Sequence, residues 1–356
     1  MKILYAFEAS SNGSISRANE IIPVLENFGT TEVLVSGAEG NKLKINHLIR
    51  FCKQGPGLRH GLYKKLDQFK VLRLLRKKSF LNELELIPVE KYDIVINDQE
   101  PLTAWACKFK NIPCIGLGHS QALSAKQSPH PAIHKPFALL TARHYAPCDM
   151  AIGLHFKKYN HNIFTPVIRQ GIRNTFIRNE GHYTVYLPGL NVKKLVKHLS
   201  KFSNTQWHIF TPHIHTSYAE NNCWLRPINN NEFIQSLSSC EGIICHAGFE
   251  TPAEALFLQK KLLVVNNNHS FEAACNAAAL KELAVPVVKK IKGKGAVVIN
   301  KWLKQPHIVA VNYPDVTKEM IQLILNTAGV LKNEKFKQVP YPPQPRRLLT
   351  ISSRAN

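Results

Sequence analysis

Gly242-Ile-Ile-Cys-His246-Ala-Gly-Phe-Glu250-Thr-Pro-Ala-Glu254-Ala-Leu256 carries a short apolar run into a glycine turn and then a helical pattern. Such a run, bounded by turn signals, fits a strand buried on both faces. The same unit recurs on either side. Strands are expected at Tyr183–Leu187, Trp207–Phe210, Leu262–Asn266 and Val285–Val288, with helices at Val192–Phe202, Asn231–Ser238, Glu250–Leu258 and Phe271–Leu283. An earlier series has strands at Ile3–Phe7, Val33–Ser36, Asp93–Asn97, Cys114–Leu117 and Met150–Leu154. Its helices are expected near Ile15–Asn27, Lys64–Leu86 and Leu102–Lys110. Strand followed by helix, repeated, predicts an α/β protein with parallel sheets covered on both faces. Two series predict two Rossmann-like domains facing across a cleft, whose ligands bind beyond the carboxyl ends of the strands.

The polar stretch Thr165–Thr175, with its Pro and Gly, sets the expected boundary, giving domains at 1–172 and 173–333. Residues 334–356 read as a tail, since Gln338–Arg347 holds four prolines and two arginines. The 356 residues suit two domains, and 44% hydrophobic residues suffice for sizeable cores. No apolar run reaches the roughly 18–20 residues of a membrane span. Met1–Phe7 reads as a strand rather than a secretion signal, so the expected compartment is the cytoplasm. Eight cysteines lack C-x-x-C or zinc-ribbon spacing and read as reduced core thiols. With 46 Lys+Arg against 24 Asp+Glu, the net charge of +22 predicts a surface that attracts anions: nucleotide, nucleic acid or acidic membrane.

Two loops carry the chemistry. The first strand ends in Glu8-Ala-Ser-Ser-Asn12-Gly13-Ser14-Ile-Ser-Arg17, where small polar residues permit a tight turn and Ser14 or Ser16 can cap a helix. A helix start there offers N–H groups and a partial positive charge to an anion, although G-x-G-x-x-G is absent. An ordinary strand–turn–helix junction explains the same residues. The second loop holds His246, Ala247, Gly248, Phe249 and Glu250, with Glu254 on the following helix. The next strand leads to Ser270 and to Glu272 and Asn276, which are four apart and share a helix face. Adjacent parallel strands would gather His246, Gly248, Glu254, Glu272 and Asn276 around one crevice. A nucleotide sugar suits them: a helix N-terminus for diphosphate, one carboxylate for ribose and another for the sugar.

His246–Leu256 resembles the donor-binding segment of GT-B glycosyltransferases, similar to the UDP-glucosyltransferases and the enzyme that adds N-acetylglucosamine in peptidoglycan lipid synthesis. Met1–Arg17 and Tyr92-Asp-Ile-Val-Ile-Asn-Asp98-Gln-Glu100-Pro-Leu102 resemble an uncharacterised bacterial and archaeal group of that superfamily. The resemblance covers roughly residues 1–330. It implies an inverting transferase, with UDP-sugar bound by the C-terminal domain and a hydroxyl acceptor, such as a lipid or cell-envelope glycan, by the N-terminal one. It implies His246 and Gly248 at the diphosphate, Glu254 at the ribose, and Glu272 with Asn276 at the donor end. The family's first loop is usually Gly-Asn-Gly-His, with the histidine as base; here Asn12, Gly13 and Ser14 stand there, followed by Arg17. Relatives often carry Gln where this chain has Ala273, which leaves the donor sugar open.

A serine is no general base at neutral pH without help. Asp98, Glu100 and His119 follow strands of the first series and are the expected replacements; Glu100, before Pro101, also suits a helix start. Asp98-Gln-Glu100 is too short a motif to indicate a metal, and a helix N-terminus can neutralise diphosphate, so neither metal nor cofactor is expected. His208, His213 and His215 lack a cysteine partner for zinc. The basic stretch Lys64–Lys78, with Leu66, Phe69, Leu72 and Leu75 as an apolar stripe, suits either packing on its own domain or an anionic bilayer, which would make the protein peripheral on the inner face of the cell membrane. No nucleic-acid-reading motif accompanies the charge. Two further functions share the fold: a UDP-sugar 2-epimerase, and a non-catalytic nucleotide-sugar or glycan-binding protein.

Overall fold

The computed structural model describes residues 1–9, 12–37, 47, 49–53, 77–131, 144–267 and 270–337. The first sheet has the order β3-β2-β1-β4-β5-β6-β7, all parallel. Its strands are β1 (Lys2–Glu8), β2 (Thr30–Ser36), β3 (Ile49–Lys53), β4 (Ile94–Asp98), β5 (Cys114–Gly118), β6 (Met150–Leu154) and β7 (Ile163–Phe164). The second sheet has the order β10-β11-β9-β8-β12-β13-β14, parallel except for the β10/β11 pair. Its strands are β8 (His182–Tyr186), β9 (Gln206–Thr211), β10 (Tyr218–Glu220), β11 (Cys223–Pro227), β12 (Gly242–His246), β13 (Lys261–Val265) and β14 (Val287–Val288). The chain passes from one sheet to the other between Phe164 and His182, through the short helix Gln170–Arg173.

The helices are α1 (Asn12–Glu26), α2 (Lys78–Glu85), α3 (Pro101–Lys110), α4 (His119–Leu123), α5 (Gln170–Arg173), α6 (Val192–Leu199), α7 (Asn230–Ser239), α8 (Glu250–Phe257), α9 (Phe271–Glu282), α10 (Lys294–Lys304) and α11 (Thr317–Lys337). Side chains dictate several starts. Glu100 accepts hydrogen bonds from Leu102 N and Thr103 N and caps α3, with Pro101 in the first turn. Asn191, Asn229 and Ser270 cap α6, α7 and α9 in the same way.

Strand order reverses beside β1 and β4 in the first sheet and beside β8 and β12 in the second. At such switch points the strand-to-helix loops diverge and open a crevice. The loops after β1 and β4 therefore face one opening, and those after β8 and β12 the other. One continuous apolar core joins the domains: Ile3, Phe7 and Ile21 of the first share it with Phe210, Ile243 and Leu256 of the second. Met320, Ile321 and Ile324 of α11 enter the same core, so the C-terminal helix returns to pack against α1.

Most expected elements begin and end within a few residues of the observed ones. The sequence reading lacks β3, β7, β10, β11, α4, α5, α10 and α11. β3 is Ile-Arg-Phe-Cys-Lys, half-exposed and basic, and gives no long apolar run. α11 runs to Lys337, past the expected tail boundary at 334, and its Met320, Ile321 and Ile324 enter the shared core. Residues 64–76 of the basic stretch, including Leu66, Phe69, Leu72 and Leu75, and the proline-rich Gln338–Arg347 lie outside the described residues. All eight cysteines are free; six are buried, Cys148 is half-buried, and Cys52 is exposed on β3 rather than in a core.

Gly118, at the end of β5, has φ +132° and ψ −177°, a conformation essentially restricted to glycine. A Cβ there would lie 2.5 Å from Asp98 Oδ1. Gly118→Ala should lower unfolding free energy in urea by about 2–4 kcal/mol, combining backbone strain with displacement of a buried carboxylate.

Candidate active site

Arg17 of α1 lies buried between carboxylates from both domains. Its Nε donates to Asp98 Oδ2 at 2.7 Å and its Nη2 to Asp98 Oδ1 at 3.0 Å. The remaining Nη1 reaches across the cleft to Glu250 Oε1 at 2.6 Å. Tyr5 Oη adds a bond to Asp98 Oδ2 at 3.3 Å. Both oxygens of Asp98 are thus engaged by a fixed cation. The Glu250 carboxylate fits because position 13 has no side chain: a Cβ on Gly13 would lie 2.4 Å from it.

A second link crosses the cleft beside it. His119 is buried, with Nδ1 at 2.8 Å from the Leu154 carbonyl and Nε2 at 2.6 Å from Asn276 Oδ1. The Leu154 carbonyl can only accept, so Nδ1 is the donor. The Asn276 amide also donates to Ala247 O at 3.2 Å. Phe249 stacks on the His119 ring at 3.9 Å and 8°. Burial pushes the imidazole down to about 4, while the Leu154 carbonyl, the Glu250 charge and Asn276 Oδ1 pull the other way.

Glu254, also buried, is held bidentate by Arg169, with Nε at 2.5 Å from Oε1 and Nη2 at 2.8 Å from Oε2. Arg169 Nη1 donates to Asn230 Oδ1 at 2.6 Å. The stretch between the sheets is thereby tied to α7 and α8. Ser270 accepts from Ala273 N at 3.1 Å and is occupied as a helix cap. Ser14 Oγ donates to the Glu8 carbonyl at 2.8 Å, which closes the first loop onto the end of β1. Asn12 begins α1.

Gly248 is exposed, and a Cβ built on it would meet nothing within 4 Å. It leads into α8, whose N-terminus carries no side-chain cap. The first amides of α8 thus have no side-chain cap, in a turn that follows half-buried His246. His246 also borders Gly189 of the β8–α6 loop.

Two carboxyl groups at these strand and helix ends have their proton affinity raised toward neutral pH. Glu8, at the end of β1, accepts from Tyr145 Oη at 2.8 Å, and its other oxygen has no hydrogen-bond partner among the described residues. Burial, against the opposing Tyr145 bond and with help from Glu100, raises Glu8 to about 7. Glu272 has no hydrogen-bond partner among the described residues; burial and then the nearby Glu250 charge raise it to about 7, against Arg17. Among the described residues no three His, Cys, Asp or Glu side chains form a group able to hold a metal. His208 stacks on His182 at 3.8 Å, and burial pushes it down to about 3; His213 Nε2 lies against Pro188 O.

The folded chain therefore brings His119, Phe249 and Asn276 together, and joins Arg17 with Asp98 and Glu250. It gives Glu100 and Ser270 capping roles. The sequence reading did not single out Glu8 as a chemical group, nor Tyr145 or Arg169. Glu8 carried a signal, an acid closing an otherwise apolar strand; Tyr145 and Arg169 carried none, because their partners are more than 80 residues away.

Residues 1–305 match the family described as Glycosyl transferase family 1. The chain belongs to that family. No curated protein matches it. Its fold is similar to that of a UDP-glucosyltransferase from Polygonum tinctorium (TM-score 0.58, 12% identity, 94% of this chain and 98% of that one). It is also similar to the glycosyltransferase SnogD from Streptomyces nogalater (TM-score 0.54, 14% identity, 92% and 99%). A UDP-GlcNAc 2-epimerase from Neisseria meningitidis shares the architecture too (TM-score 0.54, 13% identity, 92% and 100%). The two facing parallel-sheet domains are the GT-B fold. Among the described residues no helix of this glycosyltransferase family member is long and apolar enough to cross a membrane.

Two measurements probe this site. Removing either partner of the Arg169–Glu254 pair strands a buried charge, so Arg169→Ala and Glu254→Ala should each cost about 2–4 kcal/mol in urea unfolding. The double variant should lose clearly less than the sum. For Glu8, the folded value of about 7 exceeds the ordinary 4.5, so between these pH values the folded state holds a proton that the unfolded chain has lost. Its contribution makes stability fall as pH rises from about 4.5 to about 7. Glu8→Gln should remove that slope and stabilise the protein by on the order of 2 kcal/mol at pH 8, with little change at pH 4.

Proposed function

We propose that this family member is an inverting glycosyltransferase that moves a sugar from a UDP-linked donor to a hydroxyl acceptor. The observation that carries the reading is the N-terminus of α8, which has no side-chain cap, follows exposed Gly248 and meets the first domain through Glu250 and Arg17. Oriented amides at a helix start bind diphosphate in the ground state and stabilise the charge that builds on it as the sugar departs.

In this reading Glu8 takes the acceptor's proton. The three groups expected from the sequence are otherwise committed: Asp98 to Arg17, Glu100 to the start of α3, and His119 to Leu154 and Asn276 in a dry aromatic stack. Glu8 keeps one oxygen without a hydrogen-bond partner among the described residues, near the loop where relatives place their histidine, with an affinity for protons suited to neutral pH. The acceptor oxygen attacks the anomeric carbon as its proton moves to the Glu8 carboxylate. The bond from that carbon to the diphosphate oxygen breaks, and UDP leaves with the electron pair. Direct displacement inverts the anomeric centre. Glu272, which faces Glu250 and Arg17 in the cleft, receives donor sugar hydroxyls. Glu254 meets the ribose by sharing its carboxylate with Arg169. The protein acts in the cytoplasm and needs no cofactor for this transfer.

Product analysis with a panel of UDP-sugars tests the reading, the expected outcome being a glycosylated acceptor and UDP. An epimerised sugar, or binding without turnover, overturns it. Glu8→Gln should cut transfer by about 10²–10⁴-fold while calorimetry shows UDP affinity nearly unchanged. Wild-type transfer should rise with pH through about 7, as Glu8 ionises. Full turnover of Glu8→Gln together with loss in Glu272→Gln would move the base to the donor domain.

A further inference from the structure

The second domain has one face that the cleft does not use. Its sheet is covered on that side by α6 and α10, whose Leu195, Val196 and Leu199 share a core with Ile299 and Trp302. The chain contains no Asp or Glu from Gly181 to Ala219, nor from Leu283 to Pro314. The same two segments hold ten lysines, all exposed. Among the described residues none of the ten forms an ion pair. Lys193, Lys197 and Lys201 are spaced four apart along and just beyond α6, so they project from one side. Lys197 and Lys201 from this segment and Lys292 from the loop before α10 all act on half-buried His198, which places the two lysine groups side by side.

The same face exposes apolar side chains. Val297 is 71% and Val298 38% exposed. Val297 lies three residues after Lys294 and four before Lys301, so valine and lysine share the outer side of α10. An apolar residue left in water amid unpaired cations matches an interface where acyl chains lie just beneath anionic headgroups. A nucleic-acid groove would use the lysines but give Val297 nothing to enter, and α6 and α10 expose no Phe, Tyr or Trp for base stacking.

We propose that the α6–α10 face docks the protein on an anionic lipid bilayer, with Val297 at the headgroup–acyl boundary and the lysines of α6 and the 289–294 loop against the headgroups. This face covers the side of the second sheet opposite the core shared between the domains. Docking through it leaves the loops after β8 and β12 to meet the first domain.

Vesicle sedimentation with the full chain tests the proposal. Vesicles with 30% phosphatidylserine in phosphatidylcholine serve as the probe, with pure phosphatidylcholine as control. Binding to the anionic vesicles should exceed binding to the neutral ones and fall as salt rises toward 0.5 M. The fourfold variant Lys193→Glu, Lys197→Glu, Lys292→Glu, Lys294→Glu changes only exposed side chains and should lower the partition coefficient by at least about a hundredfold. Val297→Asp alone should weaken binding at constant salt, whereas Lys77→Glu with Lys78→Glu on the other domain should not. Undiminished binding of the fourfold variant, whose fold is checked by circular dichroism, overturns the proposal. So does equal binding to neutral vesicles, or retention of a DNA duplex without binding to vesicles.

Discussion

Arg17 is the constraint on which the cleft depends. A guanidinium buried this deeply survives only if carboxylates surround it, and here they come from opposite domains: Asp98 at the end of β4 and Glu250 at the start of α8. Asp98 takes the fork of two N–H groups, a geometry that only arginine offers. The third contact reaches Glu250 because Gly13 leaves room for a carboxylate against α1. Position 13 therefore serves the partner domain as well as its own turn. The Gly118 backbone closes over Asp98 from the other side, so cation, anion and glycine form one assembly.

Around this assembly the structure separates charge that holds the fold from charge available to a ligand. Asp98 is locked by Arg17 and Glu100 by helix amides, while Glu254 is held by Arg169 and shared with the ribose in the proposed reading. Glu8 and Glu272 make no such arginine pair, and burial raises both to about 7. His119 follows the same logic in reverse: stacked on Phe249 and engaged at both nitrogens, it serves as a strut between domains.

The continuous core extends this coupling beyond the cleft. α11 leaves the second domain and packs on α1, the helix that carries Arg17 and begins at the first loop. Tyr313 Oη adds a hydrogen bond to Phe156 O at 3.0 Å, beside the aromatic stack. A displacement of α1 would thus be felt at Asp98, at Glu250 and along α11. The opposite face of the second sheet takes no part in these contacts, which leaves its lysines to solvent.

The sequence by itself determined the alternation of strands and helices, because apolar runs such as Gly242–Cys245 can be buried on both faces only in a covered parallel sheet. It also placed the chemistry at the strand ends and drew attention to Gly13, Glu254, Glu272 and Asn276, since composition is written locally. It did not determine which acid is held by a cation. Asp98 and Glu8 are both acids at the ends of first-domain strands with nothing local to tell them apart, whereas Pro101 marked Glu100 as a helix start. Arg17 lies 81 residues from Asp98, Tyr145 lies 137 from Glu8, and Arg169 lies 85 from Glu254. Proton affinity is set by what a folded chain brings within a few ångströms and by how much water it removes. Tertiary structure alone decided those distances, and with them which carboxylates hold the domains together and which remain for a substrate.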